Sequence, residues 1–327
     1  MKTVLVTFAG RKRFLEILFG YIKKYRNFID EYHIYVSTDV ESDIEFIQKF
    51  ANENMDFVKT FYREYPDHNL WNQAWKNSQK EDELYIKLDD DIVYLDESLF
   101  TDFLEFRKKN TQYPFVYPMI INNFYCSWIL QEFFGFEHTE KTNFGESWET
   151  CKNVIFNYID QRRDSEIEIR YFDQHRKSPF RVTRMIPDRM TDLIPESNLT
   201  CHLGWSDINF CKNLHEKFIS DIKAGKILKY RDDKREGFEI KNFAPVSINC
   251  VSWIGKDLKS ITSKFGDIWQ DEPWVSIYCP IMTGRNNFIY FGSTVSHFSY
   301  YKQSQMGIDN EGILDKYAGI YSISNQH

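Results

Sequence analysis

Three consecutive aspartates, Asp89–Asp91, lie between two short strand-like segments, Tyr85–Leu88 and Ile92–Leu95. Both segments have the length and composition of buried strands, so we expect the aspartates at the point where one strand ends. Neighbouring carboxylates repel one another and resist desolvation, and a hard divalent cation relieves both costs. The triplet therefore predicts a metal-dependent enzyme that acts on a phosphorylated donor. The alternative interpretation is a solvated acidic turn without a function.

The composition argues against a nucleic-acid partner. The 327 residues contain 41 Lys and Arg against 48 Asp and Glu, which gives a formal net charge of −7. A protein that holds a nucleic-acid backbone needs a broad positive field, so we expect no nucleic acid to bind. The length allows one large domain or two small ones with a sizeable core.

The cysteines and the apolar segments predict a soluble, cytoplasmic protein. The six cysteines are scattered without a C-x-x-C pair, so buried free thiols are expected. The apolar start, Thr3–Phe8, is too short for a secretory signal and is followed at once by the basic run Arg11–Arg13. No later segment approaches the ~20 apolar residues of a transmembrane span.

The first third of the chain alternates strand patterns with helical patterns. Strands are predicted at 4–8, 33–37, 57–61 and 84–88, and helices at 13–25, 42–52 and 69–77. This alternation predicts an α/β fold with a mostly parallel sheet flanked by helices. Ligands of such sheets bind beyond the carboxyl ends of the strands, where residues 9–13, Asp39 and Asp89–Asp91 are all expected.

The remainder of the chain departs from this regular pattern. An apolar run, Phe115–Ile121, leads into Asn122 and Asn123, and residues from about 135 to 239 are aromatic and charged with few clear strands. Strand patterns return at 245–253 and at Asn287–Gly292, and the final dozen residues are expected to fray. Neither G-x-G-x-x-G nor a P-loop motif occurs, so we expect a metal to hold the phosphates.

An aspartate triplet after a strand, a late acidic pair that opens a helix and a histidine near the end together resemble the GT-A glycosyltransferases. The matching segments are Gly10–Arg13, Asp89–Val93, Asp271–Trp274 and His297–Ser299, and the resemblance covers roughly the first 125 and the last 85 residues. It implies a GT-A-like single domain that moves a sugar from a nucleoside-diphosphate sugar to a hydroxyl acceptor such as a glycan.

We expect the chain to be organised into three regions, of which the middle one has no counterpart in the resemblance. Residues 1–130 would form the α/β half that binds the nucleotide sugar. Residues 131–240 would be an insertion on the acceptor side, and residues 241–327 would return to the core with the acidic helix start and the histidine.

A metal site follows from the same resemblance. The triplet corresponds to the DxD element of the family, with Asp91 bound directly to Mn²⁺ or Mg²⁺ and Asp89 reaching the ribose or a metal-bound water. Asp90 would orient its neighbours. His297 corresponds to a C-terminal histidine that binds the same metal in many members, although a lone histidine after a strand is more often a packed core residue.

The acidic pair is where the resemblance implies a catalytic base. One carboxylate of the pair deprotonates the attacking hydroxyl in inverting members, and we prefer Glu272 to Asp271 because it is the last acid before the helix. A base of this kind implies inversion at the anomeric carbon. The alternative is that Glu272 only caps the helix, where an anion is favourable.

The nucleotide would be held by residues that follow the first two strands. The resemblance points to Thr7, Phe8, Arg11 and Arg13 for the base, the ribose or a phosphate, and to Asp39 for the N3–H of uracil. We therefore expect a UDP-sugar in preference to a GDP-sugar. Arg13 also begins an amphipathic helix, where an ordinary surface role is an alternative.

Tryptophans offer a stacking surface for an acceptor sugar, although each one is more often part of a core. Trp274, beside the acidic pair, is the best placed of them, and Trp71, Trp205 and Trp253 are further candidates.

Two other functions remain open on the sequence alone. A nucleotidyltransferase shares alternating α/β elements and paired aspartates, but it usually carries a glycine-rich basic loop where this chain has only Gly10. A non-catalytic sugar-binding descendant is the other possibility, and a missing carboxylate would be its sign. Donor hydrolysis with manganese and a panel of nucleotide sugars separates the three.

Overall fold

A computed structural model describes residues 1–63, 70–123, 125–127, 129–130, 166–172, 179–185, 208–232, 234–240, 246–265, 268, 271–310 and 312–324. The strands are β1 (Lys2–Ala9), β2 (Glu31–Val36), β3 (Val58–Phe61), β4 (Glu83–Leu88), β5 (Ile92–Leu95), β6 (Val116–Ile121), β7 (Glu166–Phe172), β8 (Pro179–Met185), β9 (Gly237–Ile240), β10 (Cys250–Ile254) and β11 (Asn287–His297).

The helices occupy the connections between these strands and the end of the chain. They are α1 (Lys12–Lys24), α2 (Glu41–Glu53), α3 (Leu70–Asn77), α4 (Asp102–Lys109), α5 (Ile208–Lys223), α6 (Gly255–Phe265), α7 (Asp271–Pro273), α8 (Cys279–Thr283), α9 (Tyr301–Gln305) and α10 (Ile313–Ser324). A π-helical segment, Trp274–Tyr278, joins α7 to α8. Within the described residues, every helix is too short or too polar to cross a membrane.

Nine of the described strands form one large mixed sheet, which confirms the predicted α/β fold. Its order is β3-β2-β1-β4-β10-β6-β11-β5, and β9 pairs with the first half of β11. Strands β1, β2, β3, β4, β6 and β11 run in one direction, and β5, β9 and β10 run against them. The sheet is therefore mostly parallel, as the alternating sequence pattern predicts. Strands β7 and β8 pair with each other in a separate antiparallel sheet.

The chain passes from β4 to β5 through the aspartate triplet, and this short link requires the sheet to curl. Four residue steps separate Leu88 from Ile92, and an extended chain covers at most about 14 Å in that many steps. Three strands lie between β4 and β5, and a flat sheet would set these two strands ~19 Å apart. The curl brings the carboxyl ends of β4, β6 and β11 around the triplet.

Two described elements in the region predicted as an insertion pack on the core. Helix α5 buries Phe210, Leu214 and Phe218 and contacts α10 and β6. Strand β9 pairs with β11 in the main sheet. Neither element was predicted from the sequence, because the mixed charges of the region obscure the apolar face of the helix.

The prediction that the final dozen residues fray is wrong up to Ser324. Helix α10 ends at this residue and buries Ile313, Tyr317 and Ile320. The Tyr317 hydroxyl lies 2.7 Å from Nδ1 of His215 and 2.8 Å from Oγ of Ser296. These buried polar contacts and the apolar face of α10 fix the end of the chain against the sheet.

The predicted strand at Asn287–Gly292 is longer in the structure than in the sequence analysis. Strand β11 continues to His297, and its pairing with β6 shifts between Tyr290 and Thr294. The irregularity lets one strand pair with β9 along its first half and with β5 along its second half. The continuation carries His297 to the edge of the sheet where the triplet lies.

Two glycines provide a matched test of the packing around the sheet. A Cβ atom added at Gly255 would lie 2.0 Å from the carbonyl oxygen of Lys80, whereas one added at Gly319 meets nothing within 4 Å. We expect Gly255→Ala to lower the free energy of unfolding by about 2 kcal/mol, because the backbone must move apart. Gly319→Ala, inside α10, should raise it by about 0.5–1 kcal/mol. Urea unfolding measures both, and equal shifts would contradict the close approach at Gly255.

Candidate active site

The aspartate triplet is fixed to the sheet through its backbone at both ends. The Asp89 N–H donates to the carbonyl of Asn249, 2.9 Å away, just before β10. The Phe298 N–H donates to the carbonyl of Asp91 at 2.8 Å, just after β11. The triplet therefore spans the gap between two strand ends, and its carboxylates project at the edge where the sheet ligand is expected.

Asp90 connects the triplet to the loop after β1. Its carboxylate accepts hydrogen bonds from the Gly10 N–H at 3.0 Å and from Nε of Arg11 at 3.1 Å, and Nη2 of Arg11 also contacts it. The same Nη2 atom lies 3.0 Å from Oδ2 of Asp91. Burial raises the pKa of Asp90, and the Arg11 guanidinium opposes this shift. Arg11 is therefore the counterion of both carboxylates.

Asp89, Asp91 and His297 form a three-residue cluster suited to a metal ion. One potential ligand atom from each residue lies within 4.8 Å of the others. Asp91 and His297 are buried, and Oδ1 of Asp91 has no hydrogen-bond partner among the described residues. A buried carboxylate oxygen without a partner is costly. Two carboxylates and an imidazole fit Mn²⁺ or Mg²⁺, so this donor set fits the ion that the resemblance implies.

The hydrogen bonds of His297 favour the orientation that metal binding requires. Its Nδ1 lies 3.1 Å from the carbonyl oxygen of Asn122, and its Nε2 lies 3.5 Å from Oδ2 of Asp91. A proton on Nδ1 leaves the Nε2 lone pair of the neutral ring directed at the acidic cluster. Asn122 presents its carbonyl from a left-handed backbone conformation with φ 57°. Its side chain holds this geometry by donating to the Phe298 carbonyl at 2.8 Å.

Charges in the cluster shift the pKa of both its buried members. Burial opposes ionisation of Asp91, but the neighbouring His297 and Arg11 outweigh burial and lower the pKa of the Asp91 carboxyl to about 2. Burial also opposes protonation of His297, but Asp91 outweighs it and raises the pKa of the imidazole. Asp91 is therefore ionised and ready to bind a cation across the physiological pH range.

Lys87 is a functional candidate that the sequence analysis missed. Its side chain is 2 % exposed, and its ammonium group pairs with Asp89 and donates to the Ile248 carbonyl at 3.0 Å. Burial opposes the charge, but the carboxylates of Asp89, Asp271 and Glu272 raise the pKa of Lys87. The sequence signal that could have identified it is a lysine within the strand Glu83–Leu88, whose other residues are all buried.

The acidic pair lies close to the triplet at the start of α7. Oε2 of Glu272 accepts a hydrogen bond of 2.7 Å from Oγ of Ser247, and Oδ1 of Asp271 accepts one of 2.8 Å from the Glu272 N–H. The contact with a helix N–H therefore belongs to Asp271, while the Glu272 carboxylate is bound to a side chain. Burial raises the pKa of both carboxyls, and Asp89 acts in the same direction.

Thr7 and Phe8 lie in the last part of β1. Thr7 is fully buried, and Phe8 is nearly so. The Phe8 ring packs against Trp71 with the ring centroids 3.8 Å apart, and the Lys87 ammonium lies 6.0 Å from the Phe8 centroid. The structure therefore brings Phe8 close to the acidic cluster and leaves the Thr7 side chain inside the sheet.

Arg11 contacts the triplet directly, whereas the contacts described for Arg13 and Asp39 are with other residues or with solvent. Arg13 forms a 2.7 Å ion pair with Asp309 on the surface. Asp39 is exposed in the loop that follows β2. A part in nucleotide binding stays a prediction for both residues.

The interpretation of Trp274 as a stacking surface is wrong for this structure. Trp274 and Trp253 are each 1 % exposed, because both rings pack in the core. Trp71 is 44 % exposed and keeps a free face. Trp205 lies outside the described residues. The position of Trp274 beside two acids suggested a binding role, but the acids sit at the margin of the core to which Trp274 belongs.

The predicted buried free thiols are confirmed at four cysteines, Cys126, Cys211, Cys250 and Cys279. The other two, Cys151 and Cys201, lie outside the described residues.

Sequence comparisons give no match to any protein-family model or curated protein. Among solved structures, GalNAc-T7 with UDP, GalNAc and Mn²⁺ aligns at a TM-score of 0.45 and 14% identity over 92% of this chain and 44% of that chain. The 4-diphosphocytidyl-2C-methyl-D-erythritol synthase from Anaerococcus prevotii DSM 20548 aligns at 0.40 and 10% identity, over 98% and 96% of the respective chains. This chain spans less than half the length of the GalNAc-T7 chain. At these TM-scores neither structure defines the function of this chain.

Removal of one acid tests the proposed metal ligands. We expect Asp91→Ala to weaken Mn²⁺ binding by roughly 100-fold or more, because changes to groups that only orient a ligand already cost about 10 to 100-fold. We also expect the substitution to lower the free energy of unfolding, because it removes a carboxylate that contacts Arg11 and His297. The electron paramagnetic resonance signal of free Mn²⁺ measures the binding.

The matched control is Asp56→Ala, which removes a surface carboxylate paired with Arg26. It should leave Mn²⁺ binding unchanged. Equal affinity of the wild type and Asp91→Ala for Mn²⁺ would rule out Asp91 as a ligand.

Proposed function

We propose that this chain is a metal-dependent glycosyltransferase that moves a sugar from a nucleoside-diphosphate sugar to a hydroxyl acceptor. The observation that carries the proposal is the cluster of Asp89, Asp91 and His297, in which a buried carboxylate oxygen of Asp91 lacks a partner among the described residues. A second group of acids, Asp271 and Glu272, adjoins this cluster, since both interact electrostatically with Lys87.

The donor would bind at the carboxyl edge of the sheet. Bound to Asp89, Asp91 and His297, a divalent cation would neutralise the charge that grows on the diphosphate leaving group. Arg11 adjoins this position and carries a permanent charge suited to a phosphate oxygen. Asp39, exposed after β2, is the candidate acceptor for the N3–H of uracil, which favours a UDP-sugar over a GDP-sugar.

Glu272 is the proposed base on the acceptor side. Burial raises the pKa of its carboxyl, which brings a carboxylate closer to the range where it accepts a proton at neutral pH. As the acceptor oxygen bonds to the anomeric carbon, its proton passes to Glu272 and the bond from that carbon to the phosphate oxygen breaks. A single displacement of this kind inverts the anomeric configuration. We assign acceptor recognition to the region 131–240.

Substitution of Glu272 distinguishes a role in catalysis from a role in binding the metal and the nucleotide. We expect Glu272→Gln to lower kcat for sugar transfer by roughly 10²- to 10⁴-fold, because the amide cannot accept the proton. The affinity for Mn²⁺ and UDP should stay close to that of the wild type, since the substitution leaves Asp89, Asp91 and His297 in place. Calorimetry measures the affinity, and release of UDP measures the turnover.

Asp271→Asn serves as the matched variant, because it changes the acid whose carboxylate contacts the helix N–H. It should cost less turnover than Glu272→Gln. Normal transfer by Glu272→Gln would reduce Glu272 to a structural role.

The choice between sugar transfer and nucleotidyl transfer is tested with the wild type. With Mn²⁺ and a panel of nucleotide sugars but no acceptor, we expect slow release of free sugar and UDP or GDP. With nucleoside triphosphates and sugar phosphates, a nucleotidyltransferase would instead release pyrophosphate. Pyrophosphate release without sugar release would overturn the proposal, and Mn²⁺-dependent nucleotide binding without any turnover would indicate a binding protein.

A further inference from the structure

One short segment contacts both groups of acids. The bridging segment, Ser247–Asn249, precedes β10 and crosses the edge of the sheet. At one end Oγ of Ser247 donates to Oε2 of Glu272 at 2.7 Å. At the other end Nδ2 of Asn249 donates to Oδ2 of Asp89 at 3.1 Å, and the Asn249 carbonyl accepts from the Asp89 N–H. The middle carbonyl, that of Ile248, accepts a hydrogen bond from the Lys87 ammonium.

Asn123, a buried residue, forms hydrogen bonds to both ends of this segment. Its Nδ2 donates to the Ser247 carbonyl and to Oδ1 of Asn249, both at 3.1 Å. Its Oδ1 accepts from the N–H groups of Tyr125 at 3.0 Å and Cys126 at 3.1 Å. Asn123 is fully buried, and these contacts use both donors and both acceptor positions of its amide.

The geometry of the segment depends on these side-chain bonds. Residues 247–249 belong to neither a strand nor a helix, so no regular ladder of backbone hydrogen bonds fixes them. Asn123 also sets the direction of the Asn249 amide, because an oxygen turned toward Asn123 leaves the nitrogen facing Asp89. The Tyr300 hydroxyl contacts the same Oδ1 of Asn249 at 3.5 Å. Asn123 is the buried side chain that contacts both ends of the segment, and it therefore helps to set where the segment offers its donors to Asp89 and to Glu272.

We propose that Asn123 is a positioning residue that keeps the metal-binding carboxylate and the catalytic base in register. This inference rests on the proposed function for the roles of Asp89 and Glu272. Asn123 touches neither the donor nor the acceptor in this account. It acts through the bridging segment, in which Asn249 orients Asp89 and Ser247 orients Glu272.

The competing explanation is that Asn123 only caps the helical turn that begins at Tyr125. Ser and Asp are N-cap residues of about the same quality as Asn, so both substitutions preserve a cap. Asn123→Ser removes the two donors to the bridging segment. Asn123→Asp keeps the length of the side chain but turns an oxygen toward the two acceptor oxygens. A capping role alone predicts that both variants behave as the wild type.

The experiment compares the wild type with both variants in three measurements. We expect the Mn²⁺ affinity and the kcat for donor cleavage each to fall roughly tenfold or more in both variants, as for other groups that orient a ligand. Hydrogen exchange at the amides of residues 89–92 and 247–251 should become roughly tenfold faster, because the Asp89 N–H bonds to the segment. Ser247→Ala should lower kcat alone, since Asn249 still orients Asp89.

The three measurements distinguish this inference from the proposed function. A wild type that neither binds Mn²⁺ nor cleaves a donor would defeat the proposed function, and hydrogen exchange would still decide whether Asn123 orders the segment. Unchanged exchange in both variants would overturn the inference. Faster exchange with unaltered Mn²⁺ affinity and kcat in an active protein would overturn it as well, because Asn123 would then be structural only.

Discussion

The structure depends on the confinement of three neighbouring carboxylates at the end of one strand. Asp89–Asp91 would repel one another if each were not matched by a positive or hydrogen-bonding group from elsewhere in the chain. Lys87 pairs with Asp89, Arg11 pairs with Asp90 and Asp91, and His297 faces Asp91. The curl of the sheet and the length of β11 are both needed to bring these groups together.

The charges of the site remain unbalanced after this pairing. Among the residues that the structure describes, the five carboxyl groups of the triplet and of Asp271 and Glu272 adjoin two permanently charged bases, Arg11 and Lys87. Burial raises the pKa of three of the five, those of Asp90, Asp271 and Glu272, and a bound divalent cation would relieve the repulsion among the ionised carboxylates. The two groups of acids also have different surroundings. Asp89 and Asp91, near His297, form the proposed metal site. Glu272 accepts a hydrogen bond from the Ser247 hydroxyl and is the proposed base.

The local sequence pattern accounts for the parts of the fold and site that depend on neighbouring residues. Alternating strands and helices predicted the parallel half of the sheet, and the triplet was visible as polar residues at a strand end. His297 was predicted only from the family resemblance, because the predicted strand ended at Gly292. The order of strands was not predictable in this way, because β10 lies antiparallel between β4 and β6 after a long excursion of the chain. That placement brings Asn249 to Asp89.

The same reasoning explains the individual errors. Lys87 was missed because its partners Ile248, Asp271 and Glu272 are distant in the sequence. Trp274 looked like part of a site because it follows two acids, but sequence proximity does not separate the core from its margin. The end of the chain was expected to fray because of its terminal position, but Tyr317 takes part in a buried hydrogen-bond network with His215 and Ser296.

The most direct test of this account is the anomalous diffraction of manganese in crystals soaked with Mn²⁺ and UDP. The account predicts one strong peak bound by Asp89, Asp91 and His297, with the diphosphate of UDP on its open side and Arg11 drawn away from Asp91. A peak at another place, or none while UDP is bound, would contradict it.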